Sequence, residues 1–189
     1  LSDSQIRLFL KTAEQAGTEW FPIWAFGIYT GLRSGELIAL RWKHIHHHEG
    51  KPIISVQESW TKQGEYKPYT KNKMLRTVPI NSSLQLIIDH LRHVNPSAAP
   101  EDFVLPQLST WRQGDGAKEL GAFLLGCNLP KIRLHDLRSC FITQCLLCGV
   151  PPIVVMRMVG HSSLKTIMRY VRLVGTDVLG QTEGLNFSS

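Results

Sequence analysis

The sequence predicts an α+β fold that is mainly α-helical and has one small antiparallel sheet. Apolar residues recur at helical spacing along most of the chain, which is the pattern of helices with one buried face. Only residues 52–60 show the alternation and β-branched content of a strand, and a second short strand follows at Thr77 to Ile80. With 189 residues, 43% of them hydrophobic, the chain is long enough for one domain with a sizeable core.

The first three predicted helices are defined by their ends. Ser2 and Gln5 fit a capping box at the start of the first helix. Residues 18–31 are strongly apolar and predict a buried helix that ends at Gly31, since glycine favours the left-handed conformation of a helix end. A short third helix follows, with Ser34 as its predicted cap.

The histidine-rich and cysteine-containing segments raise the question of metal binding. His44 and His46 to His48 are interpreted as a polar turn rather than a metal site, because adjacent histidines rarely converge on one ion. Three of the four cysteines have a spacing seen in some iron–sulfur proteins, but they lie in an apolar segment typical of a buried helix. Reduced thiols are therefore preferred to a cluster. We expect no metal and no cofactor.

A basic hairpin is predicted between the two strands. Its cationic residues are Lys62, Lys67, Lys71, Lys73 and Arg76. No acidic residue occurs between Glu65 and Asp89. A hairpin of this composition is either a solvated surface or a phosphate-binding element, and the acid-free run favours the second interpretation.

Further helices are predicted beyond the sheet. They cover residues 84–94, 117–126, 135–149 and 151–160, with a long irregular connection over 95–116. Ser82 or Ser83 is the predicted cap of the first of these. A last helix begins after Ser162 or Ser163 and carries Tyr170.

The segment from Asp136 to Asp177 contains five arginines and lysines and no acidic residue between these two aspartates. Such a segment is suited to face an anion. The formal net charge of +6 favours a polyanionic partner, with nucleic acid ahead of a membrane surface.

Four residues of this region have the chemistry for phosphodiester cleavage without a metal. That reaction requires a nucleophile, a proton donor and cations that stabilise the developing charge. His135 and Arg138 share a helical face at i and i+3, and His161 precedes a helix N-terminus, where anions bind. The helix start after His161 allows it to converge with Tyr170, which one continuous helix would not allow. Taken singly, each residue also has an ordinary structural explanation.

Four ordered motifs resemble those of the tyrosine recombinases, the phage integrase family. They are TGLRSGEL at 30–37, TKNKMLRTVPI at 70–80, HDLR at 135–138 and GHSSLKTIMRY at 160–170. Their order, intervals and local contexts match, and the resemblance covers nearly the whole chain. One departure is Ser139, which follows HDLR where many relatives have a basic or aromatic-like residue.

The resemblance implies a phosphate-binding set. Arg33 and Arg138 correspond to the two arginines that grip the scissile phosphate. His161 corresponds to the family's second phosphate-binding histidine, and Glu36 to the supporting acid beside the first arginine.

It also implies the groups that react. Tyr170 is similar to the nucleophile, His135 to the proton-handling histidine and Lys71 to the lysine that protonates the departing 5′ oxygen. Lys73 competes with Lys71 for this role, and the family's spacing to Arg76 favours Lys71. Lys73 and Arg76 are otherwise expected to bind DNA.

The function implied by the resemblance is that of a site-specific DNA recombinase or integrase. It would proceed through a 3′-phosphotyrosyl intermediate without metal or ATP. Residues 1–189 would form the catalytic domain of a DNA breaking-rejoining fold, with the amino-terminal DNA-clamping domain absent from this chain. The expected partner is double-stranded DNA, bound by a homo-oligomer that forms a tetrameric synapse in the full-length protein, in the bacterial cytoplasm at the nucleoid. The alternatives are a type IB topoisomerase and a catalytically silent DNA-binding regulator.

Overall fold

The structure, a computed structural model, describes residues 1–61, 64–70, 75–108, 111 and 115–175. Within these residues the chain forms eight α-helices and five short strands. The helices are α1 (Asp3–Gln15), α2 (Phe21–Thr30), α3 (Ser34–Ile38), α4 (Ser82–Val94), α5 (Gly116–Gly126), α6 (Asp136–Leu147), α7 (Pro152–Val159) and α8 (Leu164–Val174). The mainly helical α+β prediction is confirmed.

The strands form two small antiparallel units rather than one. They are β1 (Ile45–His48), β2 (Lys51–Val56), β3 (Ser59–Trp60), β4 (Tyr66–Lys67) and β5 (Arg76–Pro79). β2 lies between β1 and β5 in a three-stranded sheet, while β3 and β4 form a separate ribbon. The segment predicted as one strand over 52–60 is therefore divided, since β2 ends at Val56 and β3 begins at Ser59.

The histidine-rich segment was predicted to be a polar turn, and this prediction is wrong. His46 to His48 belong to β1, and the turn follows them at Glu49 and Gly50, whose φ angles are 49° and 74°. Two successive residues with positive φ allow the tight connection that pairs β1 with β2. His44 is buried, with Nε2 3.4 Å from a carboxylate oxygen of Glu58.

Helix ends follow the sequence signals in most places. The capping box at Ser2 and Gln5 is present, and Gly31 and Gly160 end α2 and α7 with φ of 62° and 65°. At α4 the cap is Asn81, whose side chain accepts a hydrogen bond from Leu84 N at 2.9 Å, and neither predicted serine has this role. Within the described ranges, no helix has the length and apolar composition required to cross a membrane.

An aromatic cluster joins the first helices to α5. The ring of Phe9 lies 5.3 Å from that of Trp24, and the ring of Phe123 lies 5.0 Å from Trp24. Phe9 and Trp24 are fully or almost fully buried. Because α6 packs against α2, this core also fixes the end of α2 beside the start of α6. The candidate site lies at that junction.

We predict that Gly31→Ala destabilises the protein more than the matched substitution Gly17→Ala. Both glycines have nearly the same positive φ, 62° and 61°, so both substitutions share a backbone cost of roughly 1–2 kcal/mol. At Gly31 a Cβ would also lie 2.4 Å from Cδ1 of Phe141, whereas nothing lies within 4 Å at Gly17. Overpacking should add about 1–3 kcal/mol, measured as the difference in the free energy of unfolding in urea. Equal losses at the two positions would contradict this account.

Candidate active site

The C-terminal end of α7 is bound by three arginines. The carbonyl oxygens of the consecutive residues Met158, Val159 and Gly160 each accept a hydrogen bond from a different guanidinium. The donors are, in that order, Arg76 Nε at 2.8 Å, Arg138 Nη2 at 2.5 Å and Arg33 Nη2 at 3.0 Å. The last carbonyls of a helix lack intrahelical partners and carry the negative end of the helix dipole. This helix end therefore binds three cations, each with a nitrogen 2.5–3.0 Å from a carbonyl oxygen.

Gly160 is required where these arginines meet. Its φ is +65°, and a Cβ at this position would lie 3.1–3.4 Å from three atoms of the Arg76 side chain, Cδ, Nε and Cζ. A Cβ here would require the Arg76 side chain to shift by a few tenths of an ångström, in addition to the backbone strain at this φ, and glycine avoids both. His161 follows directly, so this contact also fixes the position of the backbone that carries the His161 side chain.

Glu36 accepts four hydrogen bonds from two of the arginines. Its Oε1 accepts from Arg33 Nη1 at 2.9 Å and Arg76 Nη1 at 3.0 Å. Its Oε2 accepts from the Arg33 backbone N–H at 2.7 Å and from Arg76 Nη2 at 2.6 Å. Burial alone would raise the pKa of Glu36, but the hydrogen bonds and charge of Arg76, followed by the charge of Arg33, lower it. The carboxylate is therefore ionised and fully bonded.

Arg138 is the most deeply buried of the three arginines, with 2% of the residue exposed. Its Nη1 donates to Gly31 O at 2.6 Å, so the carbonyl at the end of α2 holds it from the other side. Burial, followed by repulsion from Arg33, lowers the pKa of Arg138 to about 9. The group remains charged at neutral pH, and the carbonyl oxygens of Gly31 and Val159 that accept its hydrogen bonds are neutral.

The charges of this cluster do not cancel. Among the described residues, Glu36 is the one carboxylate hydrogen-bonded to any of these three guanidiniums. Three cations and one anion leave two positive charges in excess in a partly buried place, where solvent screening is weak. Such a cluster is stabilised by an incoming dianionic or monoanionic group.

Both candidate histidines are biased towards the neutral form. Burial, followed by the charges of Arg138 and Arg33, lowers the pKa of His161 to about 4. Burial and then Arg138 also lower the pKa of His135, which lies at the N-cap of α6. The Nδ1 atom of His161 is buried and has no hydrogen-bond partner within the described part of the chain. Each imidazole is thus available to accept or donate one proton at neutral pH.

Tyr170 lies on α8 with its hydroxyl directed to α6. The Tyr170 hydroxyl hydrogen bonds to Ser139 Oγ at 3.2 Å, and Ser139 follows Arg138 in the chain. α8 begins at Leu164 after its N-cap Ser163, so His161 and Tyr170 belong to separate segments, as the sequence predicts.

The structure brings most of the sequence-predicted site residues together. At the end of α7 or bonded to its arginines are Arg33, Glu36, Arg138 and His161. His135 is the N-cap of α6, three residues before Arg138, and Tyr170 hydrogen bonds to the residue that follows Arg138. Lys71 and Lys73 lie outside the described residues. Ser139 was not predicted as a site residue, and its position directly after HDLR was the one available signal.

Arg76 does not fit the prediction that it binds DNA. Only 9% of the residue is exposed, and its guanidinium is bonded to Glu36 and to the carbonyl of Met158. The sequence shows a run of basic residues but does not show that one of them pairs with an acid 40 positions earlier. The side chain is part of the interior of the site.

The chain matches known proteins over most of its length. It is 26% identical over 177 residues to the ICEBs1 integrase of Bacillus subtilis (strain 168), covering 86% of this chain and 47% of that protein. The chain spans about half the length of the curated relatives it matches. It therefore corresponds to a part of such proteins.

Solved structures share the fold. The Tn1549 transposon integrase in complex with circular intermediate DNA superimposes with a TM-score of 0.74 at 20% identity, covering 98% of this chain and 66% of that one. The catalytic domain of bacteriophage HP1 integrase gives a TM-score of 0.66 at 20% identity, covering 98% and 94%. These similarities confirm the predicted tyrosine recombinase catalytic fold.

The phage integrase family itself matches residues 1–175, which include all four motifs and every described residue of the site. With that match, the chain belongs to the phage integrase family.

Proposed function

We propose that this chain catalyses site-specific DNA strand transfer, as a recombinase or integrase that uses Tyr170 as its nucleophile. The observation that carries the proposal is the position of the Tyr170 hydroxyl, which is hydrogen-bonded to the residue after Arg138, at a cluster with two uncompensated positive charges. A phenol oxygen beside an arginine cluster is suited to attack a phosphodiester, because the same cations stabilise the phenolate and the phosphorane.

The scissile phosphate binds to Arg33 and Arg138 in this proposal. The Arg33 side chain is 25% exposed, so it opens to the surface, while Arg138 forms the buried floor. A planar guanidinium can donate to two non-bridging oxygens and does not lose its proton in the process. Glu36 limits the motion of Arg33 by bonding both its side chain and its backbone N–H.

Cleavage forms one bond and breaks one. The Tyr170 oxygen bonds to phosphorus as the bond from phosphorus to the 5′ oxygen breaks, which leaves a 3′-phosphotyrosyl link and a free 5′ hydroxyl. The phenol proton passes to neutral His135, and Lys71 supplies the proton that the 5′ oxygen takes up. Because the phosphodiester is exchanged for another phosphodiester, rejoining a strand needs no ATP, and the arginines provide the charge stabilisation.

His161 responds to the phosphate. Its low pKa arises from burial and from adjacent cations, and an anion bound to those cations opposes the second cause. Phosphate binding therefore raises the pKa of His161 and favours an imidazole N–H that donates to a non-bridging oxygen. The histidine becomes a better donor as the phosphorane charge develops.

The proposed partner is double-stranded DNA in the bacterial nucleoid. The Tn1549 integrase and the XerH recombinase were each solved with DNA, and the net charge of +6 suits such a partner. Residues 1–189 act as a catalytic domain, in keeping with the near-complete coverage of the HP1 catalytic domain. Four copies assemble on two duplexes, since exchanging strands needs four cleavages. A two-duplex strand-exchange assay separates this function from topoisomerase-like relaxation of one duplex.

We predict that Tyr170→Phe abolishes covalent capture of DNA. The probe is a nicked duplex, selected from a randomised pool because the unaltered chain captures it. Cleavage near the nick releases a short fragment that carries the 5′ hydroxyl, and its loss prevents rejoining. DNA affinity should be unchanged, because only one hydroxyl is removed. Tyr29→Phe is the matched control and should capture DNA normally, as Tyr29 lies on α2. Capture by the Tyr170→Phe variant would assign the nucleophile to another residue.

We predict that Lys71→Ala slows cleavage of ordinary DNA severely and that a 5′-bridging phosphorothiolate restores most of the rate. A thiolate leaves without a proton, so the sulfur substrate does not need a general acid. Lys73→Ala is the matched control and should be mildly slower on both substrates through a lost phosphate contact. Rescue of Lys73→Ala alone would reverse the assignment, and rescue of neither would transfer the role to another group, first His135.

A further inference from the structure

Arg76 differs from the other two arginines in what it bonds. It is the first residue of β5, where it pairs with Val56, and it connects the sheet to α3 through Glu36 and to α7 through Met158. Both of its η nitrogens donate to one carboxylate, in a bidentate pair of 3.0 and 2.6 Å. Arg33 shares Glu36 but donates to it through one η nitrogen only, the other donating to Gly160 O. Arg138 donates to backbone carbonyls at the ends of two helices, Gly31 O of α2 and Val159 O of α7.

The bidentate pair removes Arg76 from direct contact with DNA. Its side chain is 7% exposed and that of Glu36 is 1% exposed. To reach a phosphate, Arg76 would have to leave a buried carboxylate with one guanidinium partner in place of two. Breaking a buried ion pair in this way is strongly unfavourable.

We propose that Arg76 is a positioning residue of the strand-transfer site, which holds Glu36 and the end of α7 so that Arg33 and His161 meet the scissile phosphate. The inference rests on the proposed function. Two routes carry the effect of Arg76. Through Glu36, it neutralises the carboxylate, so that most of the Arg33 charge remains for phosphate. Through Met158, it fixes the turn at Gly160 from which His161 projects.

Loss of Arg76 should act on both routes. The ionised Glu36 would then pair with Arg33 alone. This pairing would neutralise the Arg33 guanidinium and turn its N–H donors away from the substrate phosphate. The carbonyl of Met158 would lose its donor, and the turn before His161 would loosen. Neither change removes a phosphate contact made by Arg76 itself, so ground-state DNA binding should be retained while the chemical step slows.

The test compares Arg76→Met, Arg76→Lys, Glu36→Gln and the double variant Glu36→Gln/Arg76→Met. The measured quantities are the rate of covalent capture at saturating nicked duplex and the dependence of DNA affinity on salt. We expect Arg76→Met to slow capture by about 100-fold or more, from the usual cost of an unpaired buried charge. Its salt slope should equal that of the unaltered chain. The capture rate of Arg76→Lys should lie between those of Arg76→Met and the unaltered chain, because lysine keeps the positive charge but cannot make the bidentate pair with Glu36.

The double variant isolates the route through Glu36. Since Glu36→Gln removes the charge that Arg76 neutralises, the double variant should capture DNA faster than Arg76→Met alone. A second readout replaces a non-bridging oxygen of the scissile phosphate by a methyl group. A methylphosphonate carries no charge and therefore requires less charge stabilisation by Arg33. On this substrate the capture rates of the unaltered chain and of Arg76→Met should differ by a smaller factor. A general folding defect would not respond to a change in the DNA.

Several outcomes would overturn the inference. A capture rate for Arg76→Met within about threefold of normal would show that Arg76 has no part in the reaction. A salt slope reduced by about one, with normal capture at saturation, would make Arg76 a direct phosphate contact. If Arg76→Met does not fold, Arg76→Lys decides by the same criteria. Failure of the unaltered chain to capture any duplex would refute the proposed function and this inference with it, whereas the outcomes above, with normal capture by the unaltered chain, refute this inference alone.

Discussion

The contact between three guanidiniums and the last carbonyls of α7 is the interaction on which the site depends. It joins elements that are far apart in sequence: α3 through Arg33, β5 through Arg76, and α6 through Arg138, which also holds the end of α2 at Gly31. Like charges this close repel one another, and this repulsion, from Arg33, adds to burial in lowering the pKa of Arg138. The helix dipole, the carbonyl lone pairs and Glu36 offset it in the free protein. The offset is partial, which leaves the cluster prepared for an anion.

The partners of the arginines separate a fixed role from an exchangeable one. A hydrogen bond from a guanidinium to a carboxylate is charge-assisted and roughly twice as strong as one between neutral groups. Arg76, bonded twice to Glu36, therefore belongs to the permanent structure. Arg138 is bonded to carbonyls, and a phosphate oxygen is a stronger acceptor than a carbonyl oxygen. An arriving phosphate can thus compete for Arg138, and for the exposed edge of Arg33, without disrupting the ion pair beneath them.

The sequence predicted the parts of this site that have local signals. Gly31 and Gly160 mark helix ends because both adopt positive φ, and the capping box at Ser2 is present. The ordered motifs indicated which polar residues would converge. Pairings between distant residues had no such signal: Arg76 appeared in a basic run although its partner lies 40 positions away, and Ser139 contacts a tyrosine 31 positions away. Spacing encodes which residues share a helix face, but it does not encode which helices meet.

The same limit explains why the two histidines could be placed but not their protonation. A sequence gives His161 an ordinary imidazole beside a helix start, and only the packed structure shows burial together with Arg138 and Arg33, which lower its pKa to about 4. That value belongs to the free protein. In the proposed reaction the phosphate enters among the cations that suppress protonation, so the substrate itself changes the acid–base state of the site. A cluster of arginines is therefore more than a clamp, because it makes the proton affinity of His161 depend on whether an anion is bound.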